Sequence, residues 1–171
     1  MAKAFYVKKA RKDNPAVKAG EPYYWWAFRY GGKHYSATRP RPSQLTGNEK
    51  LSNALVLGEE LEDLTIPEAE DTDALKAAFQ EVSDQLNNIA DQIDDVVSQY
   101  QESADNIRES FSESALADEF DEKVSELEDW AENVREAANS IPDIEIEDDE
   151  LESAIEEAEG YLEPITCCPI G

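Results

Sequence analysis

Cations and flat rings are interleaved over the first forty residues in a pattern suited to phosphates and bases. Lys8, Lys9, Arg11 and Lys12 form one basic cluster. Trp25, Arg29, Lys33, His34, Tyr35, Arg39 and Arg41 then alternate rings with positive charge. Phosphates need cations and unstacked bases need flat π surfaces, and a small sheet can present both. A sheet or ribbon can also enter the major groove of a duplex. The candidate phosphate contacts are therefore Lys8, Lys9, Arg11, Lys12, Arg29, Lys33, Arg39 and Arg41, with Trp25 and Tyr35 for stacking. Tyr24, Trp26 and Phe28 are then the core face, although the two faces could be exchanged. The competing reading makes the same residues a small β core whose cations form a solvated rim or pair with acidic surfaces.

Catalysis finds little support, and the chain is expected not to be an enzyme. His34 is the sole histidine, which excludes a multi-histidine metal site and disfavours a Ser/His/Asp triad. Neither a GxxxxGK[ST] nor a GxGxxG phosphate loop occurs. Acid pairs such as Asp94/Asp95 and Asp148/Asp149 arise by chance among forty acids and read as solvated helix faces. The stretch 143–151 lacks the central glycine and spacing of an EF-hand. Cys167 and Cys168 are adjacent, so they could form only a strained ring, and they read as a free thiol pair. No cofactor and no metal are expected.

The elements that must position these residues differ sharply in charge. Residues 1–50 carry eleven Lys/Arg against three acids, a net of +8; residues 51–171 carry four against thirty-seven, a net of −33. Tyr23–Tyr30 is dense in aromatics and free of breakers, the strongest strand signal in the chain. Gly31-Gly32 predicts a tight type I′ hairpin, with Lys33–Arg39 as the return strand and Ala4–Ala10 as the first. The expectation is a three-stranded antiparallel meander that ends at Pro40 and Pro42. Both faces of its central strand carry aromatics, so the second must be covered or left for a ligand. Between the first two strands, residues 11–22 read as a turn or flexible loop. Arg39–Thr46 reads as an extended Pro-rich linker, followed by a short helix within 48–64.

The run Tyr24-Trp25-Trp26-Ala27-Phe28-Arg29-Tyr30-Gly31-Gly32-Lys33-His34-Tyr35-Ser36-Ala37-Thr38 resembles the aromatic strand, glycine turn and basic return strand of arm-type DNA-binding domains in phage tyrosine recombinases. That likeness covers residues 4–42 and implies a three-stranded sheet that inserts into DNA. No recombinase catalytic domain fits the acidic remainder. The whole chain also resembles small bacteriophage-encoded proteins of no assigned activity.

From Thr72 the pattern becomes helical. Leu75, Phe79, Val82, Leu86, Ile89, Ile93, Val96, Tyr100, Ala104 and Ile107 recur at steps of three and four, as a and d positions do. A second run, Leu116, Phe120, Val124, Leu127, Ala131, Val134, Ala138 and Ile141, has the same spacing. A corner at Ser110–Ser114 predicts an antiparallel hairpin; the alternative is one continuous rod. Ile144 and Ile146 alternate like a short strand, a last helix spans 150–162, and Pro164 and Pro169 end the chain in a loose tail.

The fold class is thus α+β: a small N-terminal three-stranded antiparallel meander, then a long acidic helical hairpin of coiled-coil type. The expected divisions are a basic aromatic module at 1–42, a linker with short helix at 43–71, the hairpin at 72–141 and an acidic tail at 142–171. No stretch reaches the roughly 18–20 apolar residues that span a bilayer. The expected place is the host cytoplasm or a virion, without membrane attachment. The expected partners are nucleic acid through residues 1–42, and a basic protein or a second copy through residues 72–162. Like charges along a parallel homodimer would cost a few tenths of a kcal/mol per close pair, which favours packing in cis or a basic partner. The rival function is an acidic protein that mimics nucleic acid and docks on a basic partner as inhibitor or structural adaptor.

Overall fold

The computed structural model describes residues 1–111, 114–146 and 150–171. The chain divides into two compact units, Met1–Leu55 and Val56–Gly171. The first carries three short strands, β1 (Phe5–Val7), β2 (Tyr23–Ala27) and β3 (Lys33–Ser36), paired antiparallel in the order β1-β2-β3. The register places Phe5 opposite Trp25 and Trp25 opposite Tyr35, while Trp26 faces His34 and Ala27 faces Lys33. Period-two alternation therefore puts Phe5, Trp25 and Tyr35 in one row on one face, with Val7 and Tyr23 beside them. Tyr6, Tyr24, Trp26 and His34 take the other face.

The β2–β3 connection is wider than Gly31-Gly32 alone predicts. With Ala27 opposite Lys33, five residues (28–32) lie between the strands, and neither glycine has positive φ. The type I′ turn is therefore absent. In its place the Gly31 N–H donates to the Phe28 carbonyl at 3.2 Å, closing a turn over Phe28–Gly31. The physical reason is Phe28: its ring lies beside Gly31 and Gly47, where an added methyl would stand 3.5–3.6 Å from its carbons. Packing that half-buried ring there takes Phe28 out of the ladder.

The supposed linker is also part of the fold. Pro42–Leu45 forms a 3₁₀ turn, Pro40 and Ser43 are buried, and the Ala2 N–H donates to the Leu45 carbonyl at 2.5 Å. The Ser52 hydroxyl donates to the Ser43 carbonyl at 2.9 Å. These bonds extend the first unit from the expected residue 42 to Leu55. Because Phe28 contacts both His34 and Gly47, this segment lies by Trp26, which is only 5% exposed, while Tyr6 and His34 on the same face remain exposed.

Helix α1 spans Glu49–Asp63, and the unit division falls within it. In the second unit, α2 spans Thr72–Ser110 and α3 spans Ala115–Ser140. Asp71 caps α2 by accepting from the Ala74 N–H at 2.8 Å. Of the expected corner, Ser112 and Glu113 lie outside the described residues. The two helices pack antiparallel rather than running on as a rod, because residues late in α2 meet residues early in α3. Arg108 pairs with Asp121, Gln101 with Glu128, and Ser83 with Ala138. At about 1.5 Å per residue, the 39 residues of α2 run roughly 58 Å.

Leu75, Phe79, Val82, Leu86, Ile89, Ile93, Val96, Tyr100 and Ala104 are all buried. Each large apolar side chain so buried contributes about 1.5–3 kcal/mol. Ser83, Ala90 and Val97 are buried as well, a third row beside Val82, Ile89 and Val96. Two rows make a coiled-coil seam, whereas three make the wider stripe of a helix covered from more than one side. The chain end packs against α3. Helix α4 (Leu151–Leu162) leads into a 3₁₀ turn at Glu163–Ile165, where Ile165 is buried and its carbonyl accepts from the buried Trp130 indole at 2.7 Å. The end is therefore anchored, not loose. Gly58 of α1 approaches Cys168 so closely that an added methyl would stand 3.2 Å from its Cβ. Ile144 is buried and Ile146 half-buried, but residues 144–146 form no strand; the Asp148/Asp149 pair and the rest of that segment, 147–149, lie outside the described residues.

Candidate nucleic-acid interface

The Trp25 face of the head sheet carries a row of half-buried rings beside an ordered basic loop. Phe5 stacks on Trp25 at 4.8 Å between centroids and 19° between planes. From the flanking strand on the other side, the Lys33 ammonium stands 4.7 Å from the centre of the Trp25 ring. Trp25 is thereby held between Phe5 of β1 and Lys33 of β3, a ring and a cation that both favour its π face. Beside this row, Tyr23 and Tyr35 tilt toward each other at 6.0 Å and 40°.

The excursion between β1 and β2 is not the flexible loop its composition predicts. The Ala10 N–H donates to the Glu21 carbonyl at 2.8 Å, and Gly20, at φ 100°, returns its N–H to the Ala10 carbonyl at 2.9 Å. Only glycine takes that φ without strain. Asn14 Oδ1 accepts from the Ala16 and Val17 N–H groups at 2.9 and 3.1 Å. Asp13 accepts from the Ala19 N–H at 2.8 Å and pairs with Lys18 at 3.1 Å. The bond from Ala19, with help from Lys18, holds the Asp13 carboxyl below its usual range. These bonds leave Arg11 and Lys12 exposed on a shaped support.

The support and the sheet enclose a groove of about 240 Å³ lined by Val7, Lys9, Arg11, Lys12, Asn14, Tyr23 and Tyr35. Of the residues read from sequence, Lys9, Arg11, Lys12 and Tyr35 meet at this groove, with Trp25 and Lys33 next to it. Lys8 is exposed but does not line it. Arg29 sits at the β2–β3 turn with its guanidinium 5.2 Å from the Tyr30 ring centre. Arg39 and Arg41 flank the buried Pro40, away from the groove lining.

Sequence reading missed Tyr23, Asn14, Phe5 and Tyr30. Tyr23 shares parity with Trp25, a signal available in the alternation. Asn14 precedes Pro15, and its turn chemistry was legible, though not its place at the groove. Tyr30 is 91% exposed, which places a ring in solvent beside a guanidinium.

Among the described residues no group of three His, Cys, Asp or Glu side chains is placed to hold a metal. No described helix is long and apolar enough to cross a membrane. No family model matches the chain, and neither does any curated protein or solved structure.

The body has a different electrostatic character. Arg108 pairs with Asp121 and Asp105, and Arg135 pairs with Asp91 at 3.2 Å and Asp94 at 2.5 Å. Lys123 lies 5.8 Å from the Tyr100 ring centre. Three of its four cations are thus engaged within the hairpin, and most of the described carboxylates are exposed.

Proposed function

We propose that the protein is a non-enzymatic accessory protein of the phage type that binds nucleic acid through its basic aromatic head. The acidic helices serve as a surface for protein interaction or self-association, in the host cytoplasm or in a virion. The observation that carries this reading is the convergence of Lys9, Arg11 and Lys12 with Tyr23 and Tyr35 at one groove. Cations hold the backbone and rings accept bases, which needs no catalytic group.

The test is a gel shift of the full chain on single- and double-stranded probes across a salt series. Affinity should fall with salt at a log–log slope of about −0.7 to −0.9 for each phosphate neutralised. Replacing Lys9, Arg11 and Lys12 together by Gln should weaken binding tenfold or more, about 1.4 kcal/mol. Absence of binding at low salt would overturn the reading.

A second reading is favoured by the internal engagement of Arg108, Arg135 and Lys123. The hairpin then presents outward carboxylates as a mimic of the nucleic-acid backbone and docks on a basic protein as inhibitor or adaptor. It predicts that residues 72–162 suffice to capture that partner and that the whole protein leaves nucleic acid unbound.

A further inference from the structure

Resting on the nucleic-acid reading, the geometry of the groove points to its ligand: we infer that it holds one unstacked nucleotide of a single strand, not a duplex. The first observation concerns Trp25. Its ring already lies between Phe5 at 4.8 Å and Lys33 at 4.7 Å, so it stiffens the sheet and is not a platform for bases. The rings that remain at the groove are Tyr23 and Tyr35. Their centroids are 6.0 Å apart and tilted by 40°, less than the two stacking separations of roughly 3.4 Å that a base between them would need. A base therefore lies on the tyrosines, as a floor, with its other side open.

The second observation is the third wall. Asn14 Oδ1 is occupied by the Ala16 and Val17 N–H groups, so its NH2 is the end left to donate to a base carbonyl. Lys9, Arg11 and Lys12 complete the rim and neutralise the phosphates on either side of that nucleotide. The third observation is size. About 240 Å³ is below the volume of an ordinary small-molecule site and admits one base, its sugar and phosphates lying at the rim, whereas paired bases keep their faces covered by neighbours. Single strands expose those faces, and the support loop is fixed by its own bonds before any ligand arrives.

The experiment uses the full chain with a short fluorescein-labelled single strand and the same sequence as a duplex, each as DNA and as RNA, read by anisotropy at matched salt. The single strand should bind at least tenfold tighter than the duplex. Tyr35→Leu should remove most of that preference and leave duplex affinity within twofold, while Tyr35→Phe should retain it. Equal or tighter duplex binding, or a loss with Tyr35→Leu that is the same for both probes, overturns the inference but leaves nucleic-acid binding standing. No binding to any probe overturns both. If Tyr35→Leu fails to fold, photo-crosslinking the unaltered protein to a bromouracil-substituted single strand decides the matter. Adducts at Tyr23 or Tyr35 support the site, and adducts confined to other residues overturn it.

Discussion

Trp25 and Tyr35 are directly paired across β2 and β3, yet their environments assign them different work. Trp25 is clasped by Phe5 and Lys33, so Trp25→Leu should act through stability. A stacked aromatic pair is worth about 0.5–1.5 kcal/mol beyond its burial, and a cation over the ring about 0.5–1 kcal/mol. Denaturant unfolding of the variant should therefore show a loss of about 1–3 kcal/mol in the head, with the affinity of the still-folded fraction little changed. The two cysteines differ by position as well. Cys167 is exposed, while burial pushes the Cys168 thiol up, and the Ile170 backbone N–H only partly offsets this. Alkylation requires the thiolate. Iodoacetamide labelling followed by mass spectrometry should therefore show Cys167 modified first, and Cys168 reacting only as the pH rises above the usual thiol range. A thiol whose folded pKa is raised contributes stability below its unfolded pKa and loses it as pH climbs through the folded value. The chain end should accordingly loosen in alkali and not in mild acid.

At the scale of elements, the hairpin is held by its apolar stripe and fastened by a few polar bonds. Arg135 reaches Asp91 and Asp94 across the helices, but all three side chains are substantially exposed. Exposed pairs are worth about 0–1 kcal/mol and are screened by salt. Arg135→Gln should thus cost under about 1 kcal/mol at low salt and almost nothing in molar salt. Leu127 is fully buried, and Leu127→Ala should cost about 2–5 kcal/mol at any salt. Urea titrations of both variants at two ionic strengths would separate the two effects. Trp130 tests the anchored end. Its buried indole donates to the Ile165 carbonyl, so Trp130→Phe keeps a ring but removes the donor from a buried acceptor. That omission should cost about 1–3 kcal/mol, and amide exchange should accelerate over residues 163–168. Ser83 plays a related part: its hydroxyl donates at 2.6 Å to the Ala138 carbonyl in the last turn of α3, whose helical donor four residues on would be Pro142, which has no N–H.

For the whole molecule the dominant fact is +8 on residues 1–50 against −33 on the remainder. A tethered acidic body lowers the local attraction of the head for phosphate whether or not the two surfaces touch, and it does so most at low salt. Deleting residues 65–171 should therefore tighten nucleic-acid binding tenfold or more, about 1.4 kcal/mol. Anisotropy titrations at matched salt check this, and equal affinities for the full chain and the shortened one would assign the charge asymmetry to an external partner.

Elements whose formation depends on local pattern were legible in the chain itself. Helical spacing marked α2 and α3 to within a few residues, because a buried stripe must repeat with the turn of the helix. Alternation marked the aromatic strands and their two faces. What depends on contacts between distant segments was not legible. Gly31-Gly32 looks like a two-residue turn until Phe28 is drawn against Gly47 and the connection widens to five. Arg39–Thr46 looks like a linker until Ala2 and Ser52 bond to it. The tail looks loose until Trp130 finds Ile165, and the loop over 11–22 looks flexible until Asp13 and Asn14 bind its amides. Composition alone determined which half is basic and which acidic, and periodicity alone determined sheet first and long helices after; that the helices fold back as a hairpin was decided by the contacts between them. Only the tertiary structure decided which ring is enclosed and which borders a groove, because that choice belongs to neighbours brought together by folding and not to the order of residues along the chain.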